Sequence, residues 1–393
     1  MDINNLKDRE QNDFFHTYKR LEIAVEKGEG CYLYTAGGSK ILDMFGGLAV
    51  NVLGYGHKKM NDAIKEQVDK YIHISNFFYQ EKQIGLAEKI KTLSGANKVF
   101  FCNSGTEAAE AAIKLVRKYF SGSNKTELVS FTGSFHGRTM GALSLTARKK
   151  YREQFRPLLP GIKHLEFNSA DDLERGINEN TAAVFIECLQ GEGGINPASK
   201  EFILKLNELK QKFGFLISAD EIQSGVGRTG TFSAYTQFGL DADIIIMAKG
   251  IGGGLPLGAI AGFERVENVF TYGEHGSTFG GNPVAAASGI VVMEELETGL
   301  MSANSVKGKL LFDKLAAMKL KYPDKIKNIR GMGLMIGIEL TFPGEKITIE
   351  MMKRGVLVNC TNENVIRLLP PYIITNNEIE LFIRVFDEVI LSV

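Results

Sequence analysis

The stretch that decides the fold runs from Ile244 to Lys249, with the sequence IIIMAK, and a glycine cluster follows between Gly250 and Gly254. Three consecutive isoleucines predict a strand buried on both faces, as in the centre of a parallel sheet. Glycines after such a strand end it and let backbone approach a ligand closely. Lys249 would then stand at the carboxyl edge of the sheet, where open α/β folds bind ligands and where burial lowers an amine's pKa. Such an amine can form a Schiff base. The alternative interpretation is a lysine whose side chain simply leaves the strand for solvent.

A second apolar run, Phe215–Ala219, ends in Asp220 and is followed by Gln223 and a glycine-rich loop. Two strand ends therefore offer an amine and a carboxylate to one crevice. That pair suits pyridoxal phosphate, because a lysine bonds the aldehyde carbon while a carboxylate keeps the ring nitrogen protonated. A structural ion pair between Lys249 and Asp220 is the alternative.

The composition is that of an ordinary globular protein without a charged target. The 393 residues include 46 lysines and arginines and 46 aspartates and glutamates, so no net field favours nucleic acid or an anionic membrane surface. The polar start and the lack of an apolar run of about 18 residues argue against a signal peptide and a membrane span. The four cysteines are far apart, which predicts neither a metal site nor a disulfide framework. We expect a cytoplasmic protein whose ligands are small molecules.

Short apolar runs alternate with helical patterns through the middle of the chain. The runs are Val99–Cys102, Leu128–Phe131, Ala183–Ile186, Phe215–Ala219, Ile244–Ala248 and Ala259–Phe263. This alternation predicts an α/β fold in which helices cover both faces of a mostly parallel sheet. The link from Gly250 to Gly258 is too short for a crossover helix, so part of the sheet is expected to run antiparallel.

The two ends of the chain follow a different pattern. Apolar runs at 23–25, 31–34 and 41–44, separated by glycine turns, predict a small meander. After about residue 300 the pattern is α+β. It predicts a helix over 306–319, strands over 334–339, 356–358 and 365–369, and a last helix from about residue 377. We therefore expect a large domain over residues 56–300 and a smaller one assembled from residues 1–55 and 301–393.

A candidate phosphate site follows the strand that ends at Cys102. Ser104, Gly105 and Thr106 come directly before an alanine-rich helical stretch with an acidic first turn. Free amides at a helix start, with a glycine that allows close approach, bind phosphate. A well-capped helix without a ligand is the alternative.

The segment SFTGSFHGRT supplies two further candidates for the same site. Phe135 has a ring that can lie flat on a pyridine ring, and Arg138 carries the forked donor that suits a substrate carboxylate. A core phenylalanine and a surface arginine are the alternatives. His136, between them, is interpreted as a packing or hydrogen-bonding residue.

Two glutamates and an arginine complete the set of candidates. Glu187 and Glu192 follow another strand end, where they could shape a pocket or pair with an arginine, although a loop carboxylate is by default solvated. Arg367 lies in an apolar strand before two prolines, and an arginine in such surroundings requires an anion. That anion is either a protein carboxylate such as Glu192 or a substrate.

The loop GVGRTG, from Gly225 to Gly230, matches the dinucleotide-binding pattern GxGxxG. A dinucleotide fold needs a helix directly after the glycines and an acidic residue about 20 positions on. Here an aromatic stretch without a helical stripe follows. We interpret the match as fortuitous, with a non-catalytic nucleotide-binding protein as the alternative that it leaves open.

Taken in order, several segments resemble one family of enzymes. The segments are SGTEAAEAAIKLVRK, SFHGRT, QGEGG, DEIQSGVGRTG, AKGIGGGLPLGAI, GSTFGGNPVAAA and RLLPP. From about Lys19 to its end, the chain resembles the class III (subgroup II) pyridoxal phosphate-dependent aminotransferases, and within them most of all the acetylornithine aminotransferases. The resemblance implies a fold-type I homodimer with active sites at the subunit interface, and pyridoxal 5′-phosphate as cofactor.

The resemblance also implies roles for individual residues. The cofactor would be held by Ser104, Gly105, Thr106, Phe135, Asp220, Gln223, Lys249 and Thr278. Of these, Lys249 and Asp220 would be catalytic, and Thr278 would reach the phosphate of the partner subunit. The substrates would be bound by Arg138, Ser277, Glu192 and Arg367. Arg138 would hold the α-carboxylate of the amine donor and Arg367 a carboxylate of glutamate or 2-oxoglutarate.

The reaction expected from this resemblance is transfer of the terminal amine of N-acetylornithine to 2-oxoglutarate, a step of arginine biosynthesis. Gly47 is small, as in acetylornithine enzymes, and leaves space for an acyl group. The alternatives are aminotransferases for ornithine, succinylornithine, 4-aminobutyrate or an acylated lysine precursor. A mutase or racemase on the same scaffold is a further alternative.

Overall fold

A seven-stranded mixed sheet forms the centre of the protein in a computed structural model that describes residues 3–393. Its strands lie in the spatial order Lys98–Cys102, Gly258–Gly262, Ile244–Met247, Leu216–Asp220, Thr181–Ile186, Glu127–Phe131 and Ile162–Leu165. The strand Gly258–Gly262 runs antiparallel to both neighbours, and the other pairs are parallel. The predicted α/β class and the predicted antiparallel member are therefore confirmed.

The central strands are buried on both faces, as the isoleucine run predicts. Ile245 and Met247 pack into one hydrophobic core, while Ile244 and Ile246 pack into a second core on the other side of the sheet. The helix Gly105–Tyr119 contributes its alanines to the second core, and the helices Lys200–Phe213 and Pro283–Glu295 pack into the first. Alternating side chains of one strand thus hold two helical layers onto one sheet.

Helices cover this sheet and the smaller sheets along the length of the chain. Their bounds are Ile3–Asp13, Lys58–Lys70, Glu81–Ser94, Gly105–Tyr119, Met140–Leu145, Lys149–Arg152, Ala170–Gly176, Lys200–Phe213, Tyr235–Phe238, Pro283–Glu295, Met301–Lys321, Glu345–Lys353 and Asn376–Ser392. Within residues 3–393, no helix is both long and apolar enough to cross a membrane.

Two four-stranded sheets are built from the ends of the chain. One has the order Val25–Glu29, Tyr32–Thr35, Lys40–Asp43 and Val356–Leu357, so the predicted N-terminal meander is confirmed and a C-terminal strand extends it. The other has the order Ile326–Met332, Met335–Leu340, Val365–Leu368 and Asn359–Thr361. A two-stranded ribbon joins Leu189–Gln190 to Asn196–Pro197. The division into domains at residues 55 and 300 stays a prediction.

The GVGRTG loop joins the central sheet to the C-terminal part of the chain. No long helix follows the loop, because the next helix, Tyr235–Phe238, has four residues. Arg228 is fully buried in the loop and donates to the carbonyl oxygens of Leu334 and Pro370, at 3.2 and 2.5 Å. Its guanidinium also lies 4.5 Å from the centre of the Tyr372 ring. The GVGRTG loop therefore places a buried arginine whose contacts join the loop to the C-terminal part of the chain.

We expect the substitution Arg228→Met to lower the free energy of unfolding by about 2–4 kcal/mol, since it leaves two buried carbonyl oxygens unpaired and removes a desolvated cation–π contact. Urea unfolding monitored by circular dichroism would measure the change. The control is Arg384→Met, because Arg384 is exposed and its replacement should change stability by less than about 0.5 kcal/mol. Equal stabilities for the two variants would contradict a stabilising role of the Arg228 contacts.

Candidate active site

Two neighbouring parallel strands carry the amine and the carboxylate to one edge of the sheet. Asp220 is the last residue of its strand and lies opposite Ile246, and Lys249 follows the end of the adjacent strand. Parallel strands end at the same edge, so both side chains reach the same cavity. The convergence that the sequence predicts for these two residues is thus found in the structure.

Asp220 is held in place by a buried histidine. Nδ1 of His136 lies 2.7 Å from Oδ2 of Asp220, and the backbone amide of Ile222 donates to Oδ1 at 3.1 Å. Although burial disfavours the imidazolium, the hydrogen bond to Asp220 raises the pKa of His136. Nε2 of His136 is buried without a partner among the described residues. The aspartate is therefore fixed at the base of the cavity by a side-chain and a backbone hydrogen bond.

Lys249 occupies an environment that favours its neutral amine. Burial, followed by the positive charge of Arg367, lowers the pKa of Lys249 to about 8. The residue also has a φ of 51°, in the left-handed region that side chains other than glycine rarely adopt. Strained backbone of this kind concentrates at functional sites, and here it turns the lysine out of its strand at the cavity.

The helix Gly105–Tyr119 points its first turn at the cavity. Ser104 caps it by accepting from the amide of Glu107, while the amides of Gly105 and Thr106 belong to the first turn, which has no intrahelical acceptors. Gly137 lies directly against this turn, because a Cβ built on it would be 2.4 Å from Oγ1 of Thr106. Its φ of 142° likewise favours glycine. The arrangement forms a small cradle for an anion.

These elements enclose a cavity of about 450 Å³. Of the residues predicted for the site, nine line it, namely Ser104, Gly105, Thr106, Phe135, Arg138, Glu192, Asp220, Gln223 and Lys249. Its volume lies in the range of small-molecule sites. The residues that the sequence distributes over five separate segments therefore meet around one space of ligand size.

Arg367 lies behind this lining, in a network of hydrogen bonds. It is 2% exposed and donates to Glu192, Gln223 and Asn359, with Nη1 at 2.5 Å from Oε1 of Glu192 and 3.2 Å from Oε1 of Gln223. Although burial opposes ionisation, the guanidinium holds the pKa of Glu192 below its ordinary value. Of the two anions that the sequence allows for Arg367, the structure contains the protein carboxylate.

Glu187 is buried beside the histidine–aspartate pair. Its carboxylate accepts from the backbone amides of Phe135 and Gly191, at 3.0 and 3.1 Å. Burial raises the pKa of Glu187 to about 7. The expectation that a loop carboxylate is solvated is therefore wrong for Glu187, because the strand end that precedes it lies inside the protein.

Besides Arg367, two predicted site residues lie outside the cavity lining. Ser277 accepts at Oγ from Nδ2 of Asn103, a lining residue, at 3.1 Å. Thr278 is exposed on the surface of the single chain. A role for Thr278 in the site of a partner subunit stays a prediction.

Some residues of the site were missed by the sequence analysis. Asn103 and Ile222 line the cavity beside predicted residues, and their places in the SGTEAA and DEIQSG segments were a usable signal. Val50 lines it from the N-terminal part of the chain, where nothing in the local sequence indicates a ligand. Tyr151 packs edge to face on Phe135 at 5.8 Å between ring centres, and its basic surroundings gave no indication of this contact.

The fold is that of a fold-type I transferase, and a lysine and an aspartate lie at its neighbouring strand ends. The chain belongs to the class III aminotransferases, since the family model described as "Aminotransferase class-III" matches residues 15–390. The protein is therefore an aminotransferase, and the family resemblance stated from the sequence is confirmed.

Several relatives of the chain are named for the same substrate, acetylornithine. The acetylornithine aminotransferase of Aquifex aeolicus is 44% identical, over 95% of this chain and 99% of the relative. That of Methanocaldococcus jannaschii is 41% identical over the full length of both chains. Among solved structures, an N-acetylornithine aminotransferase from Stenotrophomonas maltophilia has a TM-score of 0.83 and 32% identity, covering 96% of this chain and 97% of that one. An ornithine aminotransferase from Toxoplasma gondii has a TM-score of 0.94 and 25% identity, covering 100% and 96%.

The residues of the cavity fit pyridoxal 5′-phosphate, the cofactor expected from this family. A lysine amine, a buried carboxylate and a helix start lie around one space, and they match the aldehyde, the ring nitrogen and the phosphate of that molecule. Phe135, also in the lining, offers the face of an aromatic ring. We expect Lys249 to bond the aldehyde carbon and Gly105 and Thr106 to hold the phosphate.

The pKa of Lys249 predicts a pH dependence for the apoenzyme. Only the neutral amine attacks an aldehyde, so the rate at which pyridoxal phosphate adds to Lys249 should rise with pH around a midpoint near 8. A solvent-exposed lysine, whose pKa is ordinarily 10.5, would show a midpoint near that value. Stopped-flow absorbance would give the rates, and borohydride reduction with peptide mapping would identify the labelled residue. A midpoint near that of free lysine would contradict the buried environment.

Proposed function

We propose that this aminotransferase transfers the terminal amine of N-acetylornithine to 2-oxoglutarate, giving N-acetylglutamate semialdehyde and glutamate. The observation that carries the proposal is the cavity itself, in which Lys249 and Asp220 face one space and the guanidinium of Arg138 stands at the rim. The names of the relatives that share about 40% of their residues with this chain support the choice of donor.

Pyridoxal 5′-phosphate, when bound, supplies the carbonyl that takes the amine and the ring that withdraws electrons from the substrate carbon. Lys249 supplies the base: with a pKa of about 8, its amine takes a proton from that carbon and can return it. Asp220, held by His136 at the base of the cavity, would accept a hydrogen bond from the protonated ring nitrogen of the cofactor. His136 orients the aspartate, while Glu187 orders the backbone around Phe135 and Gly191.

Arg367 and Glu192 allow one site to take two substrates of different charge. While N-acetylornithine is bound, the arginine stays paired with Glu192, so no free cation faces the donor's amine. When 2-oxoglutarate is bound, its carboxylate replaces Glu192 on Arg367, which remains oriented by Asn359. The exchange replaces one carboxylate with another, so the arginine stays paired in the buried site.

Space for the acyl group comes from an N-terminal turn. Gly46 and Gly47 have φ values of 54° and 61°, and Leu48 and Ala49 continue the left-handed turn, which brings Val50 into the cavity lining. A Cβ on Gly47 would lie 2.9 Å from Nδ2 of the Asn51 side chain, and the positive φ of Gly47 also disfavours any residue with a side chain there.

A panel of amine donors tests this function. With 2-oxoglutarate as acceptor, kcat/KM for N-acetylornithine should exceed that for 4-aminobutyrate by roughly 100-fold, since a forked arginine contact contributes about 2–3 kcal/mol. Ornithine, succinylornithine and an acylated lysine precursor complete the panel, and coupled detection of glutamate measures each rate. A preference for one of these donors would make the protein another ω-aminotransferase, and turnover without 2-oxoglutarate would indicate a mutase or racemase. The variant Lys249→Ala should give no turnover and no borohydride adduct.

We also propose that the protein is a cytoplasmic homodimer. Several large apolar side chains are almost fully exposed on the single chain, among them Phe77 at 95%, Tyr79 at 98% and Tyr272 at 108%. An apolar surface of this kind marks an interface. Phe279 and Ile72 are also exposed, and Phe279 is next to Thr278, the residue expected to complete the partner's phosphate site. The unpaired state of the four cysteines fits a reducing compartment.

A double substitution tests the dimer. Phe77→Asp with Tyr79→Asp should convert the dimer to a monomer at micromolar concentration, because buried carboxylates oppose association. Analytical ultracentrifugation would report the mass, and the monomer should lose most of its activity if Thr278 acts in the partner's site. The control is Leu320→Asp, on a residue that is also exposed but lies in another part of the chain. A fully active monomer would contradict the shared site.

A further inference from the structure

Tyr151 stands among three cationic side chains close to the cavity. The guanidinium carbon of Arg138 lies 4.1 Å from the centre of its ring, Nζ of Lys150 lies at 5.1 Å and the guanidinium carbon of Arg148 at 5.5 Å. The negative face of an aromatic ring attracts each of these charges. Tyr151 thus gathers cations that would otherwise repel one another.

The same tyrosine connects Arg138 to the interior of the cavity. Its ring meets Phe135 edge to face, with an interplanar angle of 78°, and Arg138 lies 5.6 Å from the centre of the Phe135 ring. Phe135 and Arg138 both line the cavity, whereas Tyr151 does not. The tyrosine therefore supports two lining residues from behind.

Arg138 differs from its neighbour Arg148 in what its guanidinium contacts. Arg148 donates to the backbone oxygen of Glu192 at 2.7 Å. Among residues 3–393, Arg138 has no carboxylate within ion-pair distance, and its guanidinium contacts are the two rings. Its backbone is fixed separately, by the bond from its amide to Oγ1 of Thr106 at 3.2 Å. An exposed guanidinium that is held by rings and lacks an anion is ready to receive a carboxylate.

We propose that Tyr151 is a positioning residue that sets the preference of this enzyme for amine donors with an α-carboxylate. Its ring holds the Arg138 guanidinium at the rim, so little side-chain freedom is lost when the carboxylate binds. The inference rests on the proposed function, in which Arg138 binds that carboxylate. Tyr151 touches neither substrate nor cofactor in this arrangement and acts through Arg138.

The variant Tyr151→Ala of the holoenzyme tests the role with two donors. One is N-acetylornithine and the other is N-acetyl-1,4-diaminobutane, the same molecule with hydrogen in place of the carboxylate. We expect KM for N-acetylornithine to rise roughly tenfold while kcat changes by less than about twofold, because the lost contact orients a group used for binding. KM for the decarboxylated donor should stay within about twofold of the wild-type value. Tyr151→Phe, which keeps the ring, should restore the KM for N-acetylornithine.

The matched control is Tyr119→Ala. Tyr119 also lies beside an arginine, with the guanidinium carbon of Arg265 at 5.8 Å, but it ends the helix whose first turn faces the cavity. Fifteen residues of helix place it about 20 Å from the site. This variant should leave the ratio of the two KM values unchanged. A similar rise for both donors in Tyr151→Ala, or no rise for either, would overturn the positioning role.

Arg138→Ala separates this inference from the function on which it rests. If Arg138 binds the α-carboxylate, its removal should raise KM for N-acetylornithine far more than for the decarboxylated donor, and adding Tyr151→Ala should then have no further effect. If Arg138→Ala changed KM equally for both donors, the proposed donor site would be refuted. An additive effect of the two substitutions would refute only the role of Tyr151.

Discussion

The parallel pairing of Leu216–Asp220 with Ile244–Met247 is the constraint on which the rest of the site depends. Because both strands end at one edge, the carboxylate at the end of the first and the lysine after the second must face the same space. The pairing is held by apolar side chains on both faces, from Ile244 and Ile246 on one side and Ile245 and Met247 on the other. Hydrophobic burial therefore determines where the carboxylate and the amine meet, although none of these apolar side chains lines the cavity.

Around that edge, two buried ionisable side chains are each paired with a side chain from another element. His136 balances Asp220, and Glu192 balances Arg367, each through a direct hydrogen bond. Lys249 has no carboxylate in direct contact, so burial lowers the pKa of its amine to about 8. The site thus pairs its aspartate and its arginine with protein groups and leaves one amine whose lowered pKa suits it to take up and release a proton.

The charged side chains at the rim of the cavity are held by a different kind of contact from those on its floor. On the floor, charges are fixed by carboxylates and imidazole, whereas at the rim Arg138 is held by the rings of Tyr151 and Phe135. An aromatic ring attracts a guanidinium without neutralising it. The cation therefore stays available for a substrate, and the net charge of zero for the whole chain conceals a local excess of basic groups in the segment 148–156.

By itself, the sequence determined the sheet, the order of its motifs and most of the cavity, because isoleucine runs, glycine turns and helix starts are local signals. It did not indicate the strands Ile162–Leu165 and Ile326–Met332 or the helix Glu345–Lys353, whose polar residues obscure the pattern. Only the tertiary structure decided which anion pairs with Arg367, that Glu187 is buried, and that Tyr151 and Val50 lie at the site. These contacts join residues that are distant in sequence, and they depend on how the chain packs, which no local spacing of residue types records.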